Sequence, residues 1–91
     1  MKEKVALVTG AGSGIGAAGA RALAALGVRV GVLSRTASEV EQVAAEINET
    51  GGESIPLVAD VSDQEAMQRA VGAIEARWSR LDIVVASAGI R

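Results

Sequence analysis

Glycines at alternate positions, Gly10, Gly12, Gly14 and Gly16, stand where an apolar run ends and a helical pattern begins, and few folds use that arrangement. Val5 to Thr9 is short and apolar, as in a strand buried on both faces. From Gly14 the spacing changes. Ile15, Ala18, Ala22, Leu23 and Leu26 recur at three- and four-residue steps, which predicts one helix face, and Gly27 follows where helices commonly stop in the left-handed conformation. A strand that turns directly into a helix has three uses for glycine: a tight turn, a backbone that an anion can approach without meeting a Cβ, and close packing of helix on strand. The helix N-terminus adds unpaired N–H groups and a partial positive charge, so the turn is expected to hold a pyrophosphate. A tight turn without a ligand is the plainer reading. The preceding strand, the following helix and a βαβ unit of about 30 residues argue against it. A Walker A turn is excluded, because no Lys-Ser/Thr pair follows the last glycine.

The alternation continues along the chain. Val28 to Leu33 reads as a second strand, and Ser38-Glu39-Val40-Glu41 as a capping box that opens a helix with Val40, Val43, Ala44 and Ile47 inward. Gly51-Gly52 ends that helix. Ser54 to Ala59 reads as a third strand; Pro56 within it cannot donate to a ladder, which predicts a place at the sheet edge. Ser62 to Glu65 is a second capping box, followed by the stripe Met67, Ala70, Val71, Ile74 and Trp78, and Leu81 to Ala86 reads as a fourth strand. The order βαβαβαβ predicts an α/β fold: a partial Rossmann fold with a parallel sheet of four strands and three helices on its two faces, joined by right-handed crossovers. In such a sheet the strand order is 3-2-1-4, and a ligand sits in the crevice between strands one and four.

Composition narrows the function. At 91 residues the chain is one small domain, and it buries only about 60 to 65 % of its unfolded surface. Apolar residues make up 49 % and charged residues 22 %, with Trp78 as the lone aromatic. The net charge of −2 carries no block of like charges, which argues against nucleic acid or an anionic membrane as a partner. With no cysteine and no histidine, disulfides, thiolate chemistry and the usual metal-ligand spacings are absent, and a reducing, cytoplasmic compartment is expected. No apolar run reaches the ~18 residues of a membrane span.

The motif Thr9-Gly10-x-x-x-Gly14-Ile15-Gly16, the pair Asp60-Val61 after the third strand, and the run Leu81 to Ile90 together resemble the short-chain dehydrogenase/reductase (SDR) family, over the whole chain. The glycine motif is a specific match. The family's Asn-Asn-Ala-Gly after the fourth strand is here Ala86-Ser87-Ala88-Gly89, which is half a match. The resemblance implies an oxidoreductase that interconverts an alcohol and a carbonyl by hydride transfer with a nicotinamide dinucleotide. Asp60 by itself reads as a cap or turn residue of a βα loop; the resemblance implies instead that it faces the adenine amino group beside the Val61 backbone, and that Ser87, Ala88 and Gly89 line the ribose and nicotinamide side. It also implies that residues 1–91 are the cofactor-binding N-terminal half of a Rossmann domain. The family's proton-transferring Tyr-x-x-x-Lys, with its Ser and Asn, would lie beyond them. The chain has no Tyr, and Lys2 and Lys4 precede the first strand, so it is expected to bind cofactor without turning over substrate.

The end of the second strand predicts which dinucleotide. An acidic residue ~20 positions after the glycines holds the adenosine ribose in NAD sites, whereas a nearby Arg accepts the 2′-phosphate in NADP sites. Here Ser34 and Arg35 stand there, with no acidic residue at that position, and Ser13 in the turn adds a third contact. NADP is therefore expected over NAD, with Arg35 gripping the phosphate through paired hydrogen bonds. Asp82, which opens the fourth strand at the far end of the sheet, is read as structural. Ile83, Val84 and Val85 form an apolar edge, so either self-association through the fourth strand or marginal stability is expected. The ending at Gly89-Ile90-Arg91, inside the family motif, favours a piece of a longer oxidoreductase over a stand-alone dinucleotide-binding or interaction module.

Overall fold

The computed structural model describes residues 3–87. Strand β1 (Val5–Thr9) is buried along its length, as its unbroken apolar run requires, and lies between two parallel neighbours. The sheet order is β3-β2-β1-β4, where β2 is Arg29–Ser34, β3 is Ser54–Val58 and β4 is Ile83–Ala86. This is the expected 3-2-1-4. Val8 pairs with Val32 on one side and Val85 on the other, so the strands' carboxyl ends line up along one rim. Pro56 sits opposite Val32 on edge strand β3, where its missing N–H breaks no ladder.

Strand alternation sends side chains to opposite faces. Ala6, Val8, Val30 and Val32 face helices α1 (Gly14–Ala25) and α2 (Ala37–Glu49). Val5, Leu7 and Leu33 face helix α3 (Gln64–Trp78), whose Ala70 and Ile74 are buried against them. The α2 and α3 stripes sit as the sequence predicts. The α1 stripe does not. Ile15 and Leu26 are 73 % and 60 % exposed, and the buried face is Gly16, Ala17 and Ala20, with Leu23 and Ala24 beside it. The helix is rotated because its smallest residues, not its largest, allow it to approach the sheet.

Both expected capping boxes are displaced. Helix α2 is capped at Thr36, not Ser38, and α3 at Asp63, not Ser62. The Asp63 carboxylate accepts the Ala66 N–H at 3.1 Å, satisfying one orphan donor of the first turn. Strand ends differ from expectation by a residue or two. Val28 precedes β2, Ala59 follows β3, and Leu81 and Asp82 lead into β4. Glycines close α1 and α2 as expected, with Gly27 at φ 89° and Gly51 at φ 92°, whereas α3 closes on Ser79 at φ 64°.

Asp82 fastens β4 to β1 at the amino end of the sheet, the structural role expected of it. Its Oδ2 accepts the Val5 N–H at 2.9 Å, its own N–H donates to the Val5 carbonyl at 2.9 Å, and Arg80 donates to both carboxylate oxygens at 2.8 Å. The Arg80 hydrogen bond first, and the Val5 N–H second, hold the Asp82 carboxyl below the usual carboxylate range. No helix among the described residues is long and apolar enough to cross a membrane.

Candidate functional site

The glycines of the β1–α1 turn divide their work as the chemistry requires. Gly10 takes φ 65°, and a Cβ there would fall on the backbone carbonyl of Ser87, so the turn can lie against the end of β4 only with glycine. A Cβ on Gly16 would fall on the Gly10 carbonyl, which is the close packing of helix on turn. At Gly14, with φ 60°, a Cβ would meet nothing within 4 Å: this residue faces open space. A large anion can approach the backbone there.

Two hydrogen bonds fix the turn. The N–H of buried Ala11 donates to the Leu33 carbonyl at 3.0 Å, tying the turn to β2, and the Ser87 N–H donates to the Thr9 carbonyl at 3.3 Å. Helix α1 starts at the extended N-cap Ser13, whose side chain makes no capping hydrogen bond, and no acidic residue stands in its first turn. Its first N–H groups and its positive end are therefore open to an anion.

One cleft at the carboxyl rim brings together Gly10, Ser13, Gly14, Ile15 and Gly16 from the turn, Ser34 and Arg35 from the end of β2, Asp60 and Val61 after β3, and Ser87 after β4. Ala88 and Gly89, also expected here, lie outside the described residues. A second groove, between the C-terminal ends of α1 and α2, lies away from the glycine turn and is bridged by the Arg21–Glu46 ion pair at 2.6 Å.

The polar groups of the cleft are partly committed to each other. Ser34 Oγ accepts the Thr36 N–H at 3.1 Å and donates to the Thr36 carbonyl at 3.2 Å. Asp60 Oδ1 accepts from the Ser62 N–H at 2.9 Å and the Ser62 hydroxyl at 2.8 Å, a tight turn closed further by the Asp63 N–H on the Asp60 carbonyl at 2.9 Å. Those two Ser62 bonds, and more weakly the charge of Arg35, hold the Asp60 carboxyl below its ordinary range, so it is ionised at neutral pH. Arg35 is 71 % exposed, with Nη1 3.9 Å from Asp60 Oδ2.

Sequence reasoning missed Thr36 and Glu39, both of which line the cleft, and it assigned Met67 to the core alone. The absence of an acidic residue from the end of β2 does not keep carboxylates away, since Glu39 and Asp60 both face the same space as Arg35. The signal for Glu39 was in the sequence: read with Thr36 as the cap, Glu39 falls in the first turn of α2. Among the described residues, the ionisable side chains lining the cleft are Arg35, Glu39 and Asp60. The arrangement can bind and orient a phosphorylated ligand, but among the described residues the cleft holds no side chain suited to donate a proton near neutral pH. No group of three or more metal-ligating side chains occurs among the described residues.

Comparison with known proteins agrees with this geometry. The family model for short chain dehydrogenase matches residues 4–91. D-threitol dehydrogenase of Mycolicibacterium smegmatis is 44 % identical over 87 residues, which are 96 % of this chain and 34 % of that protein. Among solved structures, a 3-ketoacyl-ACP reductase from Sinorhizobium meliloti 1021 is 60 % identical with a TM-score of 0.91, covering 94 % of this chain and 34 % of that one. A metagenomic short-chain oxidoreductase solved in complex with NADP is 38 % identical with a TM-score of 0.90, covering 99 % of this chain and 41 % of that one. The chain thus spans about a third of the length of the curated relatives it matches.

Proposed function

The chain belongs to the short chain dehydrogenase family, and from that premise we propose that it is the NADP(H)-binding part of an oxidoreductase that interconverts an alcohol and a carbonyl. The observation that carries the proposal is the pairing of an open, uncapped helix N-terminus at Gly14 with Ser34 and Arg35 across the same cleft. Pyrophosphate binds the turn and the first N–H groups of α1. The adenosine end lies toward β2, where Arg35 grips the 2′-phosphate and Ser13 and Ser34 supply hydroxyl contacts. Asp60 and the Val61 backbone border the adenine, and Ser87 borders the ribose and nicotinamide side.

Bound there, the nicotinamide supplies or accepts a hydride. The work of this chain is to seat and orient it, without turnover of its own, because among the described residues the cleft offers no acid–base partner for the substrate oxygen. The outer edge of β4, with Val84 60 % and Val85 36 % exposed, is the surface proposed for self-association.

Calorimetric titration with NADPH and NADH tests the cofactor reading. NADPH is expected to bind more tightly, and Arg35→Ala to weaken NADPH about tenfold or more, the worth of a hydrogen-bonded charge pair, with little change for NADH. Equal affinity for the two, or an Arg35→Ala variant that binds NADPH as before, overturns it.

A further inference from the structure

We infer that Glu39 is a specificity-determining residue that opposes a 2′-phosphate in this cleft and favours a free ribose hydroxyl; this rests on the cofactor reading above. Thr36 caps α2, which puts Glu39 at the position where a capping-box glutamate reaches back to the cap's own N–H. That N–H is already taken by Ser34 Oγ, at 3.1 Å. Glu39 is thereby released from the capping role, and its carboxylate lies over the glycine turn instead. A Cβ on Gly12 would fall on Glu39 Oε1 and within 3.0 Å of both Glu39 Cβ and Ser34 Oγ, so glycine at this position leaves the room the carboxylate occupies. Glu39 makes no ion pair with any described residue.

The charges around that point then oppose one another. Arg35 is the attractive group for a phosphate, but Asp60 stands 3.9 Å from its guanidinium and Glu39 faces the same space. A phosphate dianion placed beside Ser34 meets one cation and two carboxylates. A ribose hydroxyl placed there can donate to the Glu39 carboxylate, a charge-assisted bond. The chain therefore discriminates between the two dinucleotides less sharply than Ser34-Arg35 alone implies, and Glu39 sets the ratio.

Glu39→Gln keeps the side chain's shape and removes its charge. Because the residue is exposed, the fold tolerates the change. In calorimetric titrations of the full 91-residue chain with NADPH, NADH, 2′,5′-ADP and 5′-AMP, the variant is expected to tighten the 2′-phosphorylated ligands and weaken the others. The NADPH/NADH affinity ratio should rise about tenfold at low salt, the size of one unscreened charge contact. In about 1 M salt, where the Debye length is about 3 Å, most of that rise should vanish, which a purely structural effect of the substitution would not show. Glu39→Asp, which keeps the charge on a shorter arm, should return the ratio toward that of the parent chain. A ratio unmoved by Glu39→Gln, or moved equally at both salt concentrations, overturns the inference. If the parent chain binds none of the four ligands, the cofactor reading itself falls and this inference with it. If the ligands bind and Arg35→Ala behaves as expected while Glu39→Gln does not, only this inference falls.

Discussion

The two faces of the sheet are built from different alphabets. On the face covered by α1 and α2, the buried residues are Ala6, Val8, Ala11, Ala17, Ala20, Val28, Val30, Val32, Val40, Val43, Ala44 and Ile47, nearly all alanine or valine. On the face covered by α3 alone, the buried set is smaller and bulkier residues carry it: Leu7, Leu33 and Ile74, with Ile55, Leu57, Met67, Val71, Trp78 and Leu81 half-covered around them. Two helices set close to a sheet need small side chains between them and it. One helix spread over the same width needs long side chains to reach. The small-residue face supports the glycine turn, whose helix can dock only where Gly16 meets the Gly10 carbonyl. The large-residue face borders the cleft through Met67 and leaves the β4 side open, with Val84 60 % exposed. Stability is therefore sensitive to lost volume on one face and to added volume on the other.

Ile74→Ala makes the larger break. The side chain is fully buried, and its Cδ1 stands 2.8 Å from where a Cβ on Gly31 would be, so the isoleucine fills a notch in β2 that only glycine provides. Truncation empties that notch, and glycine has nothing with which to refill it. Denaturant unfolding should show a loss of about 3 kcal/mol, within the usual range for deleting a buried aliphatic side chain. A loss below about 1 kcal/mol would mean that the half-covered residues of this face collapse into the space, and that the face is fluid rather than packed.

Ala20→Leu tests the other face in the opposite sense. Ala20 is fully buried between α1 and the sheet, so added carbons must push the helix outward. The expected cost is about 2 kcal/mol in the same unfolding experiment, the usual penalty of overpacking. Since α1 presents the phosphate turn at its N-terminus, the displacement should also weaken NADPH binding. A variant as stable as the parent would show that the small-residue face has slack.

How much of this was legible in the sequence follows the same division. Helix α3 was placed correctly because its inward residues, Met67, Ala70, Val71, Ile74 and Trp78, are apolar at helical spacing among polar, charged or smaller neighbours, and that contrast marks the buried face. Helix α1 was placed on the wrong face by the same logic. Its apolar residues run nearly all the way round, and the residues chosen by the sheet are Gly16, Ala17 and Ala20, which a search for large apolar side chains passes over. In the cleft, the glycine turn, Ser34, Arg35 and Asp60 were legible because each stands at the carboxyl end of a strand, where topology alone gathers ligand-binding groups. Glu39 was legible only as a first-turn residue of α2 once Thr36 is taken as the cap; that it lies in the cleft depends on the hydrogen bond between Ser34 and Thr36, which no spacing rule encodes. The caps slipped for a related reason. Thr36 and Ser38 are both acceptable cap residues, as are Ser62 and Asp63, and the choice falls to the loop geometry before them.

Leu26 separates the two readings of α1 with the smallest effect. If the stripe of large apolar residues were the buried face, Leu26 would be core, and replacing it with Gln would forfeit about 1.5 to 3 kcal/mol of burial. In the structure it is 60 % exposed at the C-cap of α1, beside Gly27. Leu26→Gln should therefore change unfolding free energy by no more than about 0.5 kcal/mol, as other exposed substitutions do. Sedimentation alongside the unfolding measurement gives the result a second meaning. If the chain self-associates through β4, the association should survive Leu26→Gln, because Leu26 follows α1 rather than lining the β4 edge. A large loss of stability that depends on protein concentration would instead place Leu26 in a contact between copies. That outcome would move the proposed self-association away from β4 and onto the outward side of α1.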